Sequence, residues 1–215
     1  MAKALGAYFG DSLKIFLIPV STIAAAASRN LTLVNAGGVL VVMAIVAELV
    51  RIGIDFVPGG STTAISAQAA VRDTSLYIVF FLVSLLIMYA LSVVFGGKSS
   101  LRQLSSAKLD LAAALVGGLL IGLFVKLGIA ILFMGDADGS AGMLINIGEQ
   151  IGLLALGVIT GVYGIIVLHF GGGLSWILSI IAGIVHVALM VSMAGVYSLF
   201  VLQNDLRGLQ SVLQV

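Results

Sequence analysis

The sequence predicts an all-α fold, a polytopic helical bundle integral to a membrane, and three observations carry that prediction. Hydrophobic residues fill 61% of the 215 positions and charged residues only 9%, against roughly 25% charged in a soluble domain. Five stretches stay apolar over the ~20 residues that a bilayer-crossing helix needs. Glycine is frequent (27) and proline rare (2), a pattern that suits membrane helices. Each span must satisfy its own backbone hydrogen bonds in lipid, which leaves the helix as the element.

In chain order the segment 1–36 reads as an amphipathic, interfacial N-terminal segment, 37–203 as the transmembrane bundle, and 204–215 as a short C-terminal tail. Within the first segment, SLKIFLIPVSTIAAAAS (12–28) is shorter than a span and holds Pro19 and several hydroxyl residues. It suits an interfacial helix or a short sixth span. Its Lys-bearing start and AAAAS also imitate a signal peptide with its cleavage site, although the expectation is that it is retained. The five spans fall at 37–57, 74–95, 111–134, 143–168 and 174–202. In the last of them Trp176 and Tyr197 stand 21 residues apart, about 31 Å of helix, which matches the two aromatic belts of a bilayer.

Basic residues separate five spans from six. Six spans put Lys3, Lys14, Arg72 and Arg207 on one side and Arg29, Lys98, Arg102 and Lys108 on the other. Five spans gather Lys3, Lys14, Arg29, Lys98, Arg102 and Lys108 together against Arg72 and Arg207. The second is the asymmetry that the positive-inside rule expects. The reading is therefore five spans with a cytoplasmic N-terminus, and 12–28 lying at or dipping into the cytoplasmic interface.

Composition also excludes. A net charge of +1 gives no polybasic footprint for nucleic acid. The absence of cysteine removes disulfides and thiolate metal sites. No nucleophile–base pair and no metal-ligand spacing stands out, so no enzyme activity, cofactor or metal is expected. DADGS (136–140) resembles the start of a calcium loop but lacks the later oxygen ligands and the closing Glu. PGGST (58–62) and FGGKSS (95–100) are glycine turns without phosphate-loop spacing.

The charges inside the spans are the main functional candidates. Glu48, Arg51 and Asp55 share one helix stripe at i, i+3 and i+7. Lys126 in the third span and Glu149 in the fourth fall in the same half of the bilayer. Charges at that depth cost several kcal/mol and must pair or face water. The five form either a structural ion network or the wall of a proton or ion path. His186 lies midway along the last span, where a hydrogen-bonded core histidine is favoured over a haem ligand. Small-residue pairs Gly118-x-x-x-Gly122, Gly157-x-x-x-Gly161 and Ser179-x-x-x-Gly183 predict close helix packing.

Two stretches, VVFGGKSSLRQL (93–104) and IIVLHFGGGLSWILSII (165–181), resemble the turns of the Yip1-domain family. The first is similar to its glycine-pair turn and the second to its His-Gly turn before the last helix. The sequence departs from the family in lacking a proline after the first turn and in carrying extra glycines in the second. The resemblance implies a cytoplasmic N-terminal segment, five spans and a non-catalytic protein acting through partner contacts. The expected function is an accessory or scaffold protein of the lipid bilayer, with a membrane-protein partner or a second copy. The alternative is a small transporter or proton-conducting protein using the charge cluster.

Overall fold

A computed structural model describes residues 2–55, 67–132 and 160–213, and every regular element among them is a helix. These are α1 (Ala2–Leu17), α2 (Pro19–Arg29), α3 (Leu33–Asp55), α4 (Ala67–Val94), α5 (Leu101–Leu132), α6 (Thr160–Phe170) and α7 (Trp176–Leu213). Four of the described helices are long and apolar enough to cross a membrane: Leu33–Ile54, Gln68–Val94, Leu101–Leu132 and Trp176–Ser198. The expected fourth span, 143–168, lies outside the described residues up to 159, and α6 is its described part.

Local chemistry explains the helix boundaries. Pro19 opens α2 at its first position, where the missing N–H costs nothing. Asn30 ends it in the left-handed region at φ 45°, a conformation that asparagine tolerates. At α5 a capping box forms: the Ser100 N–H donates to Gln103 Oε1 at 3.0 Å, and the Gln103 N–H donates to Ser100 Oγ at 3.3 Å. The helix therefore starts at Leu101, ten residues before the expected 111. Hydropathy alone rejected the polar stretch RQLSSAKLD (102–110), which nonetheless continues the helix and is largely buried.

α5 is the centre of the bundle and packs against α1, α2, α3 and α4. Its alanines allow neighbours to approach closely on two faces. Leu104, Ala107 and Ala114 join a core with Ile15, Ile23, Met88 and Val167. Leu109, Ala112, Ala113 and Val116 join another with Tyr8, Ala26, Val39 and Met43.

The N-terminal segment is thus part of the bundle interior. α1 and α2 bury Tyr8, Ile15, Ile23 and Ala26 against α5, and the next helix already begins at Leu33. The physical reason lies in α5 itself. Ser105, Ser106, Lys108 and Asp110 would be costly in lipid, and all four are buried beneath the neighbouring helices. At the other end of the chain, α7 continues as helix to Leu213. Its 38 residues span about 57 Å, well beyond a ~30 Å hydrocarbon core.

Candidate functional site

Antiparallel α3 and α4 bring the first polar group together. Arg51 Nε donates to Glu48 Oε2 at 2.9 Å and Arg51 Nη2 donates to Glu48 Oε1 at 2.6 Å. The same Nη2 lies 3.5 Å from Asp73 Oδ2, at the start of α4. Among the described side chains of the five charges expected to cluster, Glu48 and Arg51 are seen joined. Lys126 is buried at a similar level, since Gly53 faces Leu123 across the α3–α5 contact. The side chain of Asp55 and all of Glu149 lie outside the described residues. Asp73 is the member that sequence reading missed. Counting back from the α3–α4 connection would have found it, because the two helices form a hairpin and Asp73 stands about as far from the connection as Arg51.

The second polar group centres on α5, where Lys108 and Asp110 are 3% and 0% exposed. Two residues apart on a helix, they point to opposite faces, about 200° apart. Lys108 Nζ donates to Ser84 Oγ of α4, and Ser84 Oγ lies 2.8 Å from His186 Nε2 of α7. With Nζ donating to the hydroxyl, the hydroxyl proton is directed at the imidazole, which then accepts at Nε2. His186 is therefore a hydrogen-bonded core residue in this arrangement. Lys108 also sits 4.9 Å from the centroid of the Phe81 ring, within cation–π range. The sequence reading counted Lys108 among the residues flanking the spans. Burial shows that it is an interior residue tying three helices.

On the opposite face Asp110 meets α1 and α2. Arg29 pairs with Asp11, its Nη1 lies 3.9 Å from Asp110 Oδ1, and its guanidinium stacks 4.5 Å from the Tyr8 ring centroid. Tyr8 donates its hydroxyl to the Ser106 carbonyl at 2.8 Å, and the Leu31 N–H donates to Ser106 Oγ at 2.9 Å. Burial, partly offset by the Arg29 charge, pushes the Tyr8 phenol up to about 12, so it remains a neutral donor. Among the described residues, neither Asp110 oxygen has a hydrogen-bond partner. No described group of three or more His, Asp or Glu is placed to hold a metal ion.

The third feature is a junction of two turns. The Ser92 hydroxyl donates to the Gly172 carbonyl at 2.7 Å, and a side chain at Gly97 would collide with that same carbonyl. Gly173, at φ +68°, approaches Ser99 so closely that a Cβ there would lie 2.6 Å from its Oγ. His169 stacks on Trp176 at 4.0 Å, and its Nδ1 lies 2.7 Å from the Leu174 carbonyl. The turns at 95–100 and 171–175 are therefore one docked unit.

The small-residue positions separate by environment. A Cβ at Gly183 would sit 2.6 Å from Ile165 Cγ1, and Ser179 is fully buried, so this pair lies at the α6–α7 contact. Gly161 faces Val187 at ordinary packing distance. Gly118 is half-buried, and a Cβ at Gly122 would meet nothing within 4 Å among the described residues. The close approach on α5 falls at Gly117, whose missing side chain admits the Ser12 carbonyl. A span-centred search for Gly-x-x-x-Gly could not see it, because its partner helix was not expected inside the bundle. Gly157 lies outside the described residues. Comparison with known proteins adds no family to this geometry: no protein-family model, no curated protein and no solved structure matches the chain.

Proposed function

We propose that the chain is an integral membrane accessory or scaffold protein that acts through helix packing and contacts with a membrane partner. One observation carries the reading: the central helix turns its two buried ionisable residues to opposite faces, where Lys108 donates to Ser84 of α4 and Asp110 faces Arg29 of α2. Buried polar groups used this way fix helix register and partner choice. The resemblance to the Yip1-domain family belongs to the same proposal. Its two stretches, 93–104 and 165–181, are the ones that meet at the docked turns.

The proposed topology has five crossings and a cytoplasmic N-terminus. Docking of the 95–100 and 171–175 turns supports placing both on one side of the membrane. α5 leads away from that side and α6 ends on it, so an even number of crossings fits between Arg102 and Ser175. With Lys108 assigned to the interior, Lys3, Lys14, Arg29, Lys98 and Arg102 still outweigh Arg72 and Arg207, and the positive-inside preference keeps its direction.

A second reading, a proton-conducting protein, draws on the Lys108–Ser84–His186 chain. It links two titratable groups through a hydroxyl, the arrangement through which a proton can hop. Reconstitution separates the readings. The scaffold reading expects no proton or ion flux in liposomes and a co-purifying membrane partner when the protein is extracted gently from native membranes. Flux that is present in the wild type and lost in folded Lys108→Met or Ser84→Ala protein would overturn it.

A further inference from the structure

α1 and α2 form a V. The end of α2 meets the middle of α1 through the Arg29–Asp11 pair and the stacking of Arg29 on Tyr8, and the apex is Leu17–Ile18–Pro19. Both legs are held at one level of α5, α1 by Tyr8 and the end of α2 by Leu31, each on Ser106. Further down, α1 runs against the apolar part of α5, where the Ser12 carbonyl fills the notch at Gly117. Tyr163 of α6 donates its hydroxyl to the Ile15 carbonyl at 2.8 Å. α2 returns over 11 residues, about 16 Å, roughly half of a ~30 Å hydrocarbon core.

From this geometry we infer that α1–α2 is a re-entrant hairpin that enters and leaves the membrane on one side and sets its apex against the acyl chains of a single leaflet. The apex side chains fit that surroundings: Leu13, Ile18 and Val20 are exposed and Leu17 is 82% exposed. The backbone of Ile18 fits as well. Irregular chain at membrane depth must satisfy its own polar groups. The Ile18 N–H donates to the Lys14 carbonyl at 2.9 Å. The Ile18 carbonyl accepts from the Thr22 N–H at 3.2 Å, from Thr22 Oγ1 at 2.9 Å and from Ser21 Oγ at 3.2 Å. Pro19 has no N–H to satisfy.

Lys14, one turn before the apex, is consistent with this placement. Helix side chains lean toward the N-terminus, and in α1 that direction leads back to the open end of the V. The ammonium thus snorkels toward the interface along its own helix. The inner faces of both legs meanwhile cover the polar stretch of α5, so one hairpin both shields Asp110 and anchors in lipid.

Because the chain has no cysteine, single cysteines can test the placement in sealed vesicles of the full-length protein. Lys3→Cys and Asn30→Cys should react with a membrane-impermeant maleimide from the same side, and Leu17→Cys from neither. A nitroxide at position 17 should be relaxed by oxygen and not by an aqueous nickel chelate. Val20→Cys provides the same readout if the Leu17 variant does not fold. Labelling of positions 3 and 30 from opposite sides would make the segment a crossing span and overturn the inference. Aqueous modification of position 17 would place the apex at the surface and overturn it too. Spin–spin coupling or a disulfide between two copies at position 17 would put a second chain, not lipid, against the apex.

Discussion

At Gly117 a single hydrogen in place of a side chain decides whether α1 can lie on α5, because backbone of Ser12 occupies the space that a Cβ would take, with the Phe16 ring 3.1 Å away. Neither a carbonyl in a helix nor a packed ring moves cheaply. Gly117→Ala is expected to destabilise the protein by about 1–3 kcal/mol through overpacking, measured by unfolding in a mild detergent. Gly6→Ala, where nothing lies within 4 Å among the described residues, should be neutral or slightly stabilising, since alanine is the better helix former by about 1 kcal/mol. A different cost governs Arg51. Arg51→Met leaves Glu48 half-buried without its two hydrogen bonds, a loss of about 1–3 kcal/mol. The double variant Glu48→Gln/Arg51→Met should recover much of it, because the stranded charge is gone. Equal stability of the single and double variants would show that partners other than Glu48 set the value of that arginine.

At the scale of the elements, the docked turns make a sharper test than any one helix. Ser92→Ala removes the donor to the Gly172 carbonyl inside a closed contact, and Gly97→Ala forces a methyl group against the same carbonyl. Each should cost about 1–3 kcal/mol. Ser92 and Gly97 both act on Gly172, so their effects should combine non-additively. A double-mutant cycle on detergent unfolding measures this, and strict additivity would mean that the turns do not act as a unit. The glycine turns were legible in the sequence as turns, since Gly-Gly and Gly-Gly-Gly punctuate apolar runs. That they touch was not legible, because a turn's composition carries no information about what lies across from it. The start of α5 shows the opposite case. The Ser100-x-x-Gln103 cap is written in the chain, but hydropathy averaging hid it by treating a polar stretch as outside the membrane. Lys108 and Asp110 escaped for the same reason, whereas the Glu48/Arg51 pair, set in an unbroken apolar run, stood out.

For the molecule as a whole, the contact between the turns becomes a statement about topology that accessibility can check. α3 and α4 run antiparallel and share the Arg51–Asp73 contact at one end, so the far ends, at Asn30 and Lys98, belong together. The turn contact adds Ser175 to that set. Cysteines at Asn30, Lys98 and Ser175 should therefore react with an impermeant reagent from one side of sealed membranes, and a cysteine at Arg72 from the other. Asn30 and Lys98 test the α3–α4 hairpin. Ser175 tests the turn contact, which rests on Gly97, Gly172 and Gly173 rather than on any charge. The two fail separately. If Asn30 and Lys98 agree but Ser175 reacts from the opposite side, the turns are not docked in the membrane and the five-crossing topology falls with them. If all three agree and Lys98→Glu/Arg102→Glu leaves the pattern at positions 30 and 175 unchanged, the excess of basic residues at that end does not set the orientation. The expected result is instead a reversed or mixed pattern, because inverting the bundle would carry the contacts of α1, α2, α3 and α4 on α5 with it, which leaves the basic residues to choose the side.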